Sequence, residues 1–304
     1  MRKIIVVAGP TAVGKTEYAI KIAEQFNGEI VSCDSMQLYK YMDIGSAKPT
    51  PEEQARAKHY LIDEIDPRDD FSVAIYQKMA KKYIEEIFAK GKTPIIAGGT
   101  GLYLNSLIYD MDFASPVHDD ALREKYYQMA ETEGNQAVYN ILREKAPDIA
   151  ERIHPNNLKK VVRALETVES DGENIKDFAA VNTKCKDYDC LMLCLNRDRE
   201  ELYDRINRRV DMLVDMGLLD EVKSLMDMGF TTDNIAMKGI GYKEIIDYFN
   251  GEYDLDTALE LVKRNTRRYA KRQITWFKRY DDMKWFNLSE DSLEDILTWI
   301  KSNW

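Results

Sequence analysis

The N-terminal part of the chain alternates between short apolar runs and longer segments of helical periodicity. Lys3–Ala8 is a β-branched apolar run that ends in Gly-Pro, and it predicts a buried strand. Residues 16–26 then follow helical spacing and stop at Asn27-Gly28, after which residues 29–33 predict a second strand. A polar cluster that begins with Asp34 follows directly.

The same alternation continues along the chain. Residues 71–90 predict a helix that Gly91 ends, because apolar side chains recur there at helical intervals at Ile75, Met79, Ile84, Ile87 and Phe88. A third strand at 93–97 leads into Gly98-Gly99-Thr100-Gly101. Strands that alternate with helices predict an α/β fold with a parallel sheet covered on both faces.

The pattern changes at Phe113-Ala114-Ser115-Pro116, which opens a stretch of helical periodicity to about residue 188. Asp189–Asn196 returns to strand character, and an amphipathic segment at 199–229 breaks near Gly217. The rest predicts helices and a short strand at 283–286. We therefore expect a core formed by residues 1–112 and 189–304, with an all-helical insertion at 113–188.

The charge of the chain is unevenly distributed. The formal net charge is -10, which argues against a protein that coats nucleic acid non-specifically. However, residues 263–279 contain eight Lys or Arg and no Asp or Glu, interleaved with Tyr269, Trp276 and Phe277. A solvated helix face and a surface for an anionic partner are both consistent with this run.

Several classes of protein are disfavoured by composition. The four cysteines show no C-x-x-C spacing, and the three histidines lie far apart, so neither a disulfide framework nor a zinc finger is expected. The apolar stretch at the N-terminus is shorter than a secretory signal, and no other window reaches membrane-spanning length. The expectation is a cytoplasmic protein that does not use a membrane.

The sequence GPTAVGKT matches the phosphate-binding pattern G-x-x-x-x-G-K-[ST] and lies between a predicted strand and a predicted helix. Glycines allow the backbone N–H groups to surround an anion, and the helix N-terminus adds positive potential. In this pattern Lys15 contacts the terminal phosphate and Thr16 holds Mg²⁺. A structural Gly-rich turn is the alternative, and a diphosphate fits as well as a nucleoside triphosphate. The candidate phosphate-binding residues are Gly9, Pro10, Thr11, Ala12, Val13, Gly14, Lys15 and Thr16.

Other polar residues follow the predicted strands at the same edge of the sheet, where ligands bind in open parallel sheets. Asp34 follows the second strand and Thr100 the third, while the fourth precedes a helix with Arg205 and Arg209. Singly, these residues are also explained as a turn, a strand exit and a solvated pair. Together they predict one crevice with a phosphate loop, a carboxylate, a hydroxyl and two guanidinium groups.

Three functions remain compatible with these residues. No apolar run ends in Asp and leads into motor-type elements, so an energy-transducing ATPase is disfavoured. A small-molecule kinase of the P-loop type, a transferase that holds its leaving group in the loop, and a nucleotide-dependent binding module without chemistry stay open.

Seven motifs together resemble the tRNA dimethylallyltransferase family, in the right order and over nearly the whole chain. They are GPTAVGKT, SCDSMQLY, DIGSAKPT, GGTGLY, HPNNLKKVVRALE, GIGYKE and RRYAKRQITWFK. A weaker resemblance is to adenylate isopentenyltransferases, which prenylate free nucleotides. Ser46, Tyr60 and Gly239 depart mildly from the family pattern, and the absence of a zinc-finger tail implies the bacterial type.

The resemblance implies a P-loop nucleotide-kinase-like core that transfers a dimethylallyl group from dimethylallyl diphosphate to N6 of adenosine 37 in tRNA. Its diphosphate would lie in the loop with Mg²⁺, and Asp34 would act as general base. Thr100 would donate to the diphosphate or bridging oxygen, while Arg205 and Arg209 would neutralise the leaving group. A monomer is expected.

The resemblance also implies a set of tRNA contacts. Adenosine 37 would be extruded and would stack near Met36, Gln37 and Tyr39, and the basic run would hold phosphates. The implied tRNA-binding residues are Asp34, Ser35, Met36, Gln37, Thr100, Arg123, Lys159, Lys160, Val161, Val162, Arg163, Gly239, Ile240, Gly241, Tyr242, Lys243 and Glu244.

Overall fold

The protein is described here by a computed structural model, in residues 2–111, 119–171 and 183–304. It divides into two compact units. The first comprises Met1–Ile108 with Cys185–Trp304, and the second is Tyr109–Lys184. Within the described part of the chain, no helix is long and apolar enough to cross a membrane.

The first unit is built on a sheet of six strands in the order β3-β2-β4-β1-β5-β6, and every neighbouring pair is parallel. This confirms the α/β class and the parallel sheet expected from the alternating pattern. The strands are β1 Lys3–Ala8, β2 Gly28–Cys33, β3 His59–Tyr60, β4 Thr93–Gly98, β5 Asp189–Asn196 and β6 Lys284–Asn287.

Helices connect the strands and form the second unit. The part of the first unit that precedes the second unit contains α1 Lys15–Gln25, α2 Pro51–Arg56, α3 Val73–Ala89 and α4 Gly101–Ile108. The second contains α5 Asp120–Glu133, α6 Asn135–Lys145, α7 Pro147–Ala150 and α8 Leu158–Asp171. After the second unit, the first unit continues with α9 Arg199–Asp215, α10 Leu218–Asp227, α11 Tyr242–Phe249, α12 Leu255–Phe277 and α13 Leu293–Asn303, with a short 3₁₀ helix at Ala236–Lys238.

Strand β1 lies in the interior of the sheet because its apolar run is buried on both faces. Residues Ile4 to Ala8 are at most 1% exposed, and β1 pairs with β4 on one side and β5 on the other. The strand order reverses at this point, which opens a crevice beyond the carboxyl ends of the strands. The loop from β1 to α1 begins at that crevice.

Strand β3 was not predicted, because only two residues form it. Tyr60 donates a hydrogen bond to the buried Glu29 carboxylate at 2.6 Å, and Lys90 and Lys92 form ion pairs with the same group. Although burial acts to raise the pKa of Glu29, hydrogen bonds from Lys92, Tyr60 and Lys90 outweigh it and lower the pKa to about 2. This network fixes the edge of the sheet.

Helix α3 is observed at Val73–Ala89, close to the predicted bounds of 71–90. Of the apolar side chains that form its pattern, Ile84 and Ile87 are buried and Ile75 is 41% exposed, while Tyr76 is fully buried. Tyr76 stacks on Tyr103 with ring centroids 4.0 Å apart. Tyr76 therefore belongs to the buried face of the helix, although it was not among the apolar positions from which the helix was predicted.

The second unit is helical in its described residues and has an apolar core of its own. Its predicted start at 113 lies outside the described residues. Residues 185–188, which were predicted in the insertion, are grouped with the first unit. There Tyr188 is buried and its hydroxyl donates to Glu85 at 3.3 Å.

Candidate active site

The phosphate-binding motif, residues 9–16, spans the loop between β1 and α1 and the first two residues of α1, and the loop depends on its two glycines. A Cβ atom at Gly9 would lie 2.6 Å from the carbonyl oxygen of Leu195, which is backbone and cannot move aside. Gly14 has φ 109° at the N-cap of α1, a conformation that favours glycine. Ala12, between them, is also left-handed at φ 63°. The chain therefore makes a tight, wound turn into the helix.

Three cationic side chains bind the carbonyl groups of this loop. Lys15 Nζ donates to the Pro10 oxygen at 2.8 Å. Arg205 Nε donates to the Ala12 oxygen at 3.0 Å, and Arg197 Nε donates to the Val13 oxygen at 3.1 Å. These hydrogen bonds fix the backbone of the loop. The positive charges of the three side chains favour an anion at the adjoining helix N-terminus.

Gln273 of α12 joins this loop to the turn after β4. Its Oε1 accepts the Thr11 N–H at 2.9 Å, and its Nε2 donates to the Gly99 oxygen at 3.0 Å. A Cβ at Gly99 would lie 2.2 Å from that nitrogen, so only glycine leaves space for the contact. The sequence did not identify Gln273, since a single amide within a basic run forms no pattern.

Asp34 and Thr100 follow neighbouring strands, because β2 and β4 pair with Cys33 beside Gly98. Asp34 Oδ1 accepts the main-chain N–H groups of Met36 at 2.9 Å and Gln37 at 3.4 Å. Thr100 Oγ1 accepts the N–H of Ser35 at 3.0 Å. The two turns are therefore cross-linked, and the Asp34 carboxylate is oriented through one oxygen.

One cavity of about 570 Å³ brings these elements together. Its volume is in the range typical of small-molecule sites. It contains loop residues, the Asp34 turn and the inner face of α9, so the loop, the carboxylate and the two guanidinium groups of the predicted crevice lie together, while Thr100 is not among the residues that line it. The residues that line it and bear on the chemistry are Thr11, Ala12, Gly14, Lys15, Thr16, Asp34, Gln37, Ser46, Arg205, Arg209, Tyr269 and Gln273.

Burial changes the acid–base behaviour of the cations in the cavity. It lowers the pKa of Lys15 to about 8, with Asp34 acting in the opposite direction. Burial also lowers the pKa of Arg209, and again Asp34 opposes the shift. Among the described residues no hydrogen bond or ion pair engages the Arg209 guanidinium, so its donors remain available to a ligand.

Tyr269 is a second cavity residue that was not among the predicted site residues. It lines the cavity, and Arg272 lies over its ring, 5.5 Å from the centroid. Burial, followed by the nearby Asp34 charge, raises the pKa of Tyr269 to about 12. The neutral phenol places an aromatic wall beside the carboxylate.

The segment 239–244 lies beside the Asp34 turn, since a Cβ at Gly239 would meet Met36 Cε at 2.4 Å. Within it Lys243 is exposed, but Tyr242 and Glu244 are buried. Glu244 accepts the Gly241 N–H at 2.8 Å and the Asn265 amide at 2.7 Å. Tyr242 and Glu244 therefore shape the segment and offer no side-chain surface to RNA, which corrects the expectation for both.

In the second unit, the stretch of α8 that was expected to contact RNA also contains both exposed and buried residues. Lys159 and Lys160 are exposed, whereas Val161 and Val162 lie in the apolar core and have no surface for RNA. The periodicity of the helix explains this, because consecutive positions face different directions.

Arg123 and Arg163 meet on a buried carboxylate of the same unit. Both form ion pairs with Glu166, at 2.9 and 2.6 Å. Burial acts to raise the pKa of Glu166, but hydrogen bonds from Arg123, the Asp119 N–H and Arg163 outweigh it, and the pKa is lowered. These arginines therefore have a structural partner within the unit, and Arg163 keeps an exposed surface as well.

The basic side chains of α12 lie on different faces of the helix. Lys263 forms an ion pair with Asp211 at 2.8 Å, and Arg267 donates to Asn207, so both face α9. Arg264, Arg268, Lys271 and Arg272 are exposed on α12. Only part of the run is thus available to an anionic partner, which corrects the expectation that the run as a whole holds phosphates.

The fold and the site define an α/β protein with a glycine-rich, cation-flanked loop at the carboxyl edge of a parallel sheet. Residues 37–280 match the family model described as IPP transferase. The chain belongs to the IPP transferase family.

Individual relatives agree with this membership. The chain is 52% identical to the tRNA dimethylallyltransferase of Alkaliphilus oremlandii over 296 residues, covering 97% of this chain and 95% of the relative. The full-length tRNA isopentenylpyrophosphate transferase of Bacillus halodurans has a similar structure, with a TM-score of 0.74, 40% identity, and coverage of 99% of this chain and 96% of that one. A eukaryotic dimethylallyltransferase acting on tRNA gives a TM-score of 0.81 at 31% identity, covering 95% of this chain and 75% of that one.

Proposed function

We propose that this protein transfers a dimethylallyl group from dimethylallyl diphosphate to N6 of adenosine 37 in tRNA and releases diphosphate. The observation on which the proposal rests is that one cavity joins the cation-flanked loop to the Asp34 carboxylate. Membership of the IPP transferase family and relatives named tRNA dimethylallyltransferase support the same reaction.

The finer assignment of the fold is part of the proposal. We assign the first unit to a P-loop nucleotide-kinase-like core, supported by the position of the 9–16 loop between β1 and α1. We assign residues 109–184 to an inserted helical domain, supported by their own apolar core and by their place in the sequence between α4 and β5.

The loop is the proposed site of the diphosphate. Its helix N-terminus and the ammonium group of Lys15 provide donors that are oriented before the charge on the leaving group develops. An anion beside Lys15 favours the protonated amine, which counteracts the effect of burial on its pKa. Arg209, whose donors are not engaged by the described residues, supplies a second charge from α9.

The residues present are compatible with Mg²⁺. Thr16 lines the cavity, and no cluster of three or more His, Cys, Asp or Glu suited to a metal occurs among the described residues. Mg²⁺ in phosphate sites is commonly held by few protein ligands together with substrate oxygens and water, so the Thr16 hydroxyl is a sufficient protein contribution. When bound, the ion would neutralise charge on the diphosphate.

Asp34 is the proposed general base. A bond forms between adenine N6 and C1 of the dimethylallyl group, the C1–oxygen bond breaks with its electron pair leaving on diphosphate, and the N6 proton passes to the carboxylate. Oδ1 is held by two main-chain N–H groups. No hydrogen bond from the described residues occupies Oδ2, which is the oxygen we assign to the proton.

Thr100 and Arg205 are assigned supporting roles beside these groups. Thr100 Oγ1 accepts the Ser35 N–H at 3.0 Å and donates its own proton to Ser35 Oγ at 3.4 Å, a long hydrogen bond that would be exchanged for one to the diphosphate or the bridging oxygen. Arg205 uses Nε on the Ala12 carbonyl and so holds the loop, while its charge adds to that of Arg209.

A stacked base cannot enter a crevice, so adenosine 37 must be extruded from the anticodon loop. Met36 and Gln37 stand beside Asp34 to receive it, whereas Tyr39 is buried and is removed from the stacking candidates. Exposed Lys159, Lys160 and Lys243 are retained as RNA contacts. We place the reaction in the cytoplasm and expect a monomer.

The test is mass spectrometry of nucleosides from tRNA incubated with the protein, Mg²⁺ and dimethylallyl diphosphate. We expect adenosine 37 to gain one C5H8 unit, and an otherwise identical tRNA with guanosine at position 37 to remain unmodified. A parallel reaction with γ-labelled ATP should transfer no phosphate. No prenylated adenosine, or phosphate transfer to an acceptor, would overturn the assignment.

A further inference from the structure

The carboxylate of Glu221, on the first turn of α10, receives four hydrogen bonds from distant parts of the chain. Oε2 accepts the main-chain N–H groups of Asp43 and Ile44, both at 2.7 Å. Oε1 accepts the N–H of Gly45 at 2.9 Å and the hydroxyl of Tyr242 at 2.8 Å. Consecutive backbone N–H groups that converge in this way form an anion-binding concavity, here filled by the protein itself.

Two of the family motifs meet at this carboxylate. Residues 43–50 begin with the three N–H groups, and residues 239–244 contribute Tyr242. The Tyr242 ring packs so closely on Gly45 that a Cβ there would lie 2.5 Å from ring atom Cζ. Burial, and then the Glu221 charge, raises the pKa of Tyr242, so that its hydroxyl remains a donor.

The segment held by Glu221 forms part of the cavity wall. Ser46 and Pro49 line the cavity, and Ala47 is left-handed at φ 48°. The oxygen of Ala47 accepts the side-chain amide of Gln37 at 3.1 Å. The position of this loop therefore determines where the Gln37 amide is held.

Gln37 in turn is bound to the catalytic side of the cavity. Its side-chain Oε1 accepts the Ser32 hydroxyl at 3.2 Å, and its main-chain N–H donates to Asp34 Oδ1 at 3.4 Å. A continuous series of hydrogen bonds thus runs from Glu221 through the 43–47 loop and Gln37 to the carboxylate that we assign as the base.

We propose that Glu221 is a positioning residue for the acceptor base: by holding the 43–45 backbone it fixes Gln37 beside Asp34, and so sets the approach of adenine N6. This inference rests on the proposed function. Among the described residues, no hydrogen bond joins the diphosphate loop to residues 43–47 or to Gln37, so loss of Glu221 affects the acceptor side and leaves donor binding intact.

The informative variant is Glu221→Gln, which keeps the size but replaces an acceptor oxygen with an amide that donates toward two N–H groups. Asp220→Asn is the matched control, because it removes the same charge from the same helical turn at an exposed position. Tyr242→Phe removes one of the four hydrogen bonds and keeps the ring on Gly45.

Transfer to an anticodon stem-loop is measured per active site, with active sites counted by dimethylallyl diphosphate binding. We expect Glu221→Gln to lower kcat about 10- to 100-fold, the effect of a small displacement of a reacting group. The dissociation constant for dimethylallyl diphosphate should stay within twofold of the wild-type value, Asp220→Asn should match the wild type, and Tyr242→Phe should fall between them. Hydrogen exchange of the 43–47 amides should accelerate in Glu221→Gln.

A wild-type kcat per active site in Glu221→Gln, with fewer active sites or a lower Tm, would overturn the inference, because Glu221 would then only stabilise the fold. If Glu221→Gln does not fold, Tyr242→Phe decides: an unchanged kcat per active site overturns the inference, and a lowered one with normal donor binding supports it. Failure of the wild type itself to prenylate RNA would overturn the proposed function as well, and is seen before any variant is compared.

Discussion

Gln273 accepts the main-chain N–H of Thr11 at 2.9 Å and so ties the last long helix of the chain to the diphosphate loop. The other end of the same amide donates to the turn that leads into Thr100. One side chain therefore sets the distance between the proposed donor site and the proposed acceptor site.

Replacing Gln273 with Glu should weaken binding of dimethylallyl diphosphate by about tenfold or more. The carboxylate can still accept the Thr11 N–H, but it cannot donate to Gly99, and it places a negative charge in the cavity. Thr275→Glu is the control, since it adds the same charge two residues along at an exposed position. Equal affinity in both variants, measured by calorimetry with Mg²⁺ present, would argue against a coupling role for Gln273.

Arg209→Gln should reduce the rate of prenyl transfer about 10²- to 10³-fold, the usual loss when a pre-oriented donor to a developing anion is removed. The guanidinium lines the cavity and is not engaged by the described residues, so its removal disrupts no internal hydrogen bond. Arg199→Gln, at the start of the same helix, should leave the rate unchanged. Single-turnover rates of the two variants give the comparison, and equal rates would remove Arg209 from the leaving-group site.

The lowered pKa of Lys15, about 8, predicts how donor binding and stability depend on pH. The diphosphate is fully ionised above pH 8, so its affinity should fall as Lys15 loses its proton, by at most tenfold per pH unit. The free energy of unfolding of the ligand-free protein should change in the opposite direction and rise with pH. Folding lowers this pKa from 10.5, so the unfolded chain binds more protons between pH 8 and 10.5 and the contribution of Lys15 to stability rises with pH.

Lys15→Ala should bind dimethylallyl diphosphate weakly and without this pH dependence. Titrations of both proteins from pH 7 to pH 10 provide the measurement. A flat wild-type profile would show that the ammonium does not contact the diphosphate.

The outward-facing residues of α12 should provide RNA affinity without base identity. Substituting Arg268, Lys271 and Arg272 with Ala should weaken binding of different anticodon stem-loops alike. The slope of log K against log salt should fall in magnitude by about 2 for three phosphate contacts. The control is Lys263→Ala with Arg267→Ala, which removes two cations that face α9. If the salt slope of the triple variant equals that of the wild type, this face of the helix is only solvated.

Strands with continuous apolar runs could be predicted from the sequence almost to the residue. Lys3–Ala8 and Asp189–Asn196 are observed at their predicted bounds, because a strand buried on both faces needs apolar residues throughout. Where a helix has one buried face, the pattern was less decisive. Val161 and Val162 sit inside the second unit although they adjoin two exposed lysines.

The parts of the candidate site that follow local motifs could also be predicted, since a loop of defined spacing after a strand has one place in a parallel sheet. Gln273 and Glu221 could not. Glu221 binds N–H groups 176 to 178 residues away, and no property of the sequence around it differs from an ordinary helix N-terminus. Contacts of that separation depend on the tertiary fold.

Asp34→Asn separates removal of the N6 proton from binding of the two substrates. Asparagine keeps the size and still accepts hydrogen bonds through its carbonyl, but it cannot take up a proton at neutral pH. The single-turnover rate of transfer to an anticodon stem-loop should fall about 10²- to 10⁴-fold or more. The Tm and the affinities for RNA and dimethylallyl diphosphate should stay close to wild type. A variant that is as stable as the wild type and transfers the dimethylallyl group at an undiminished rate would show that Asp34 is not the base.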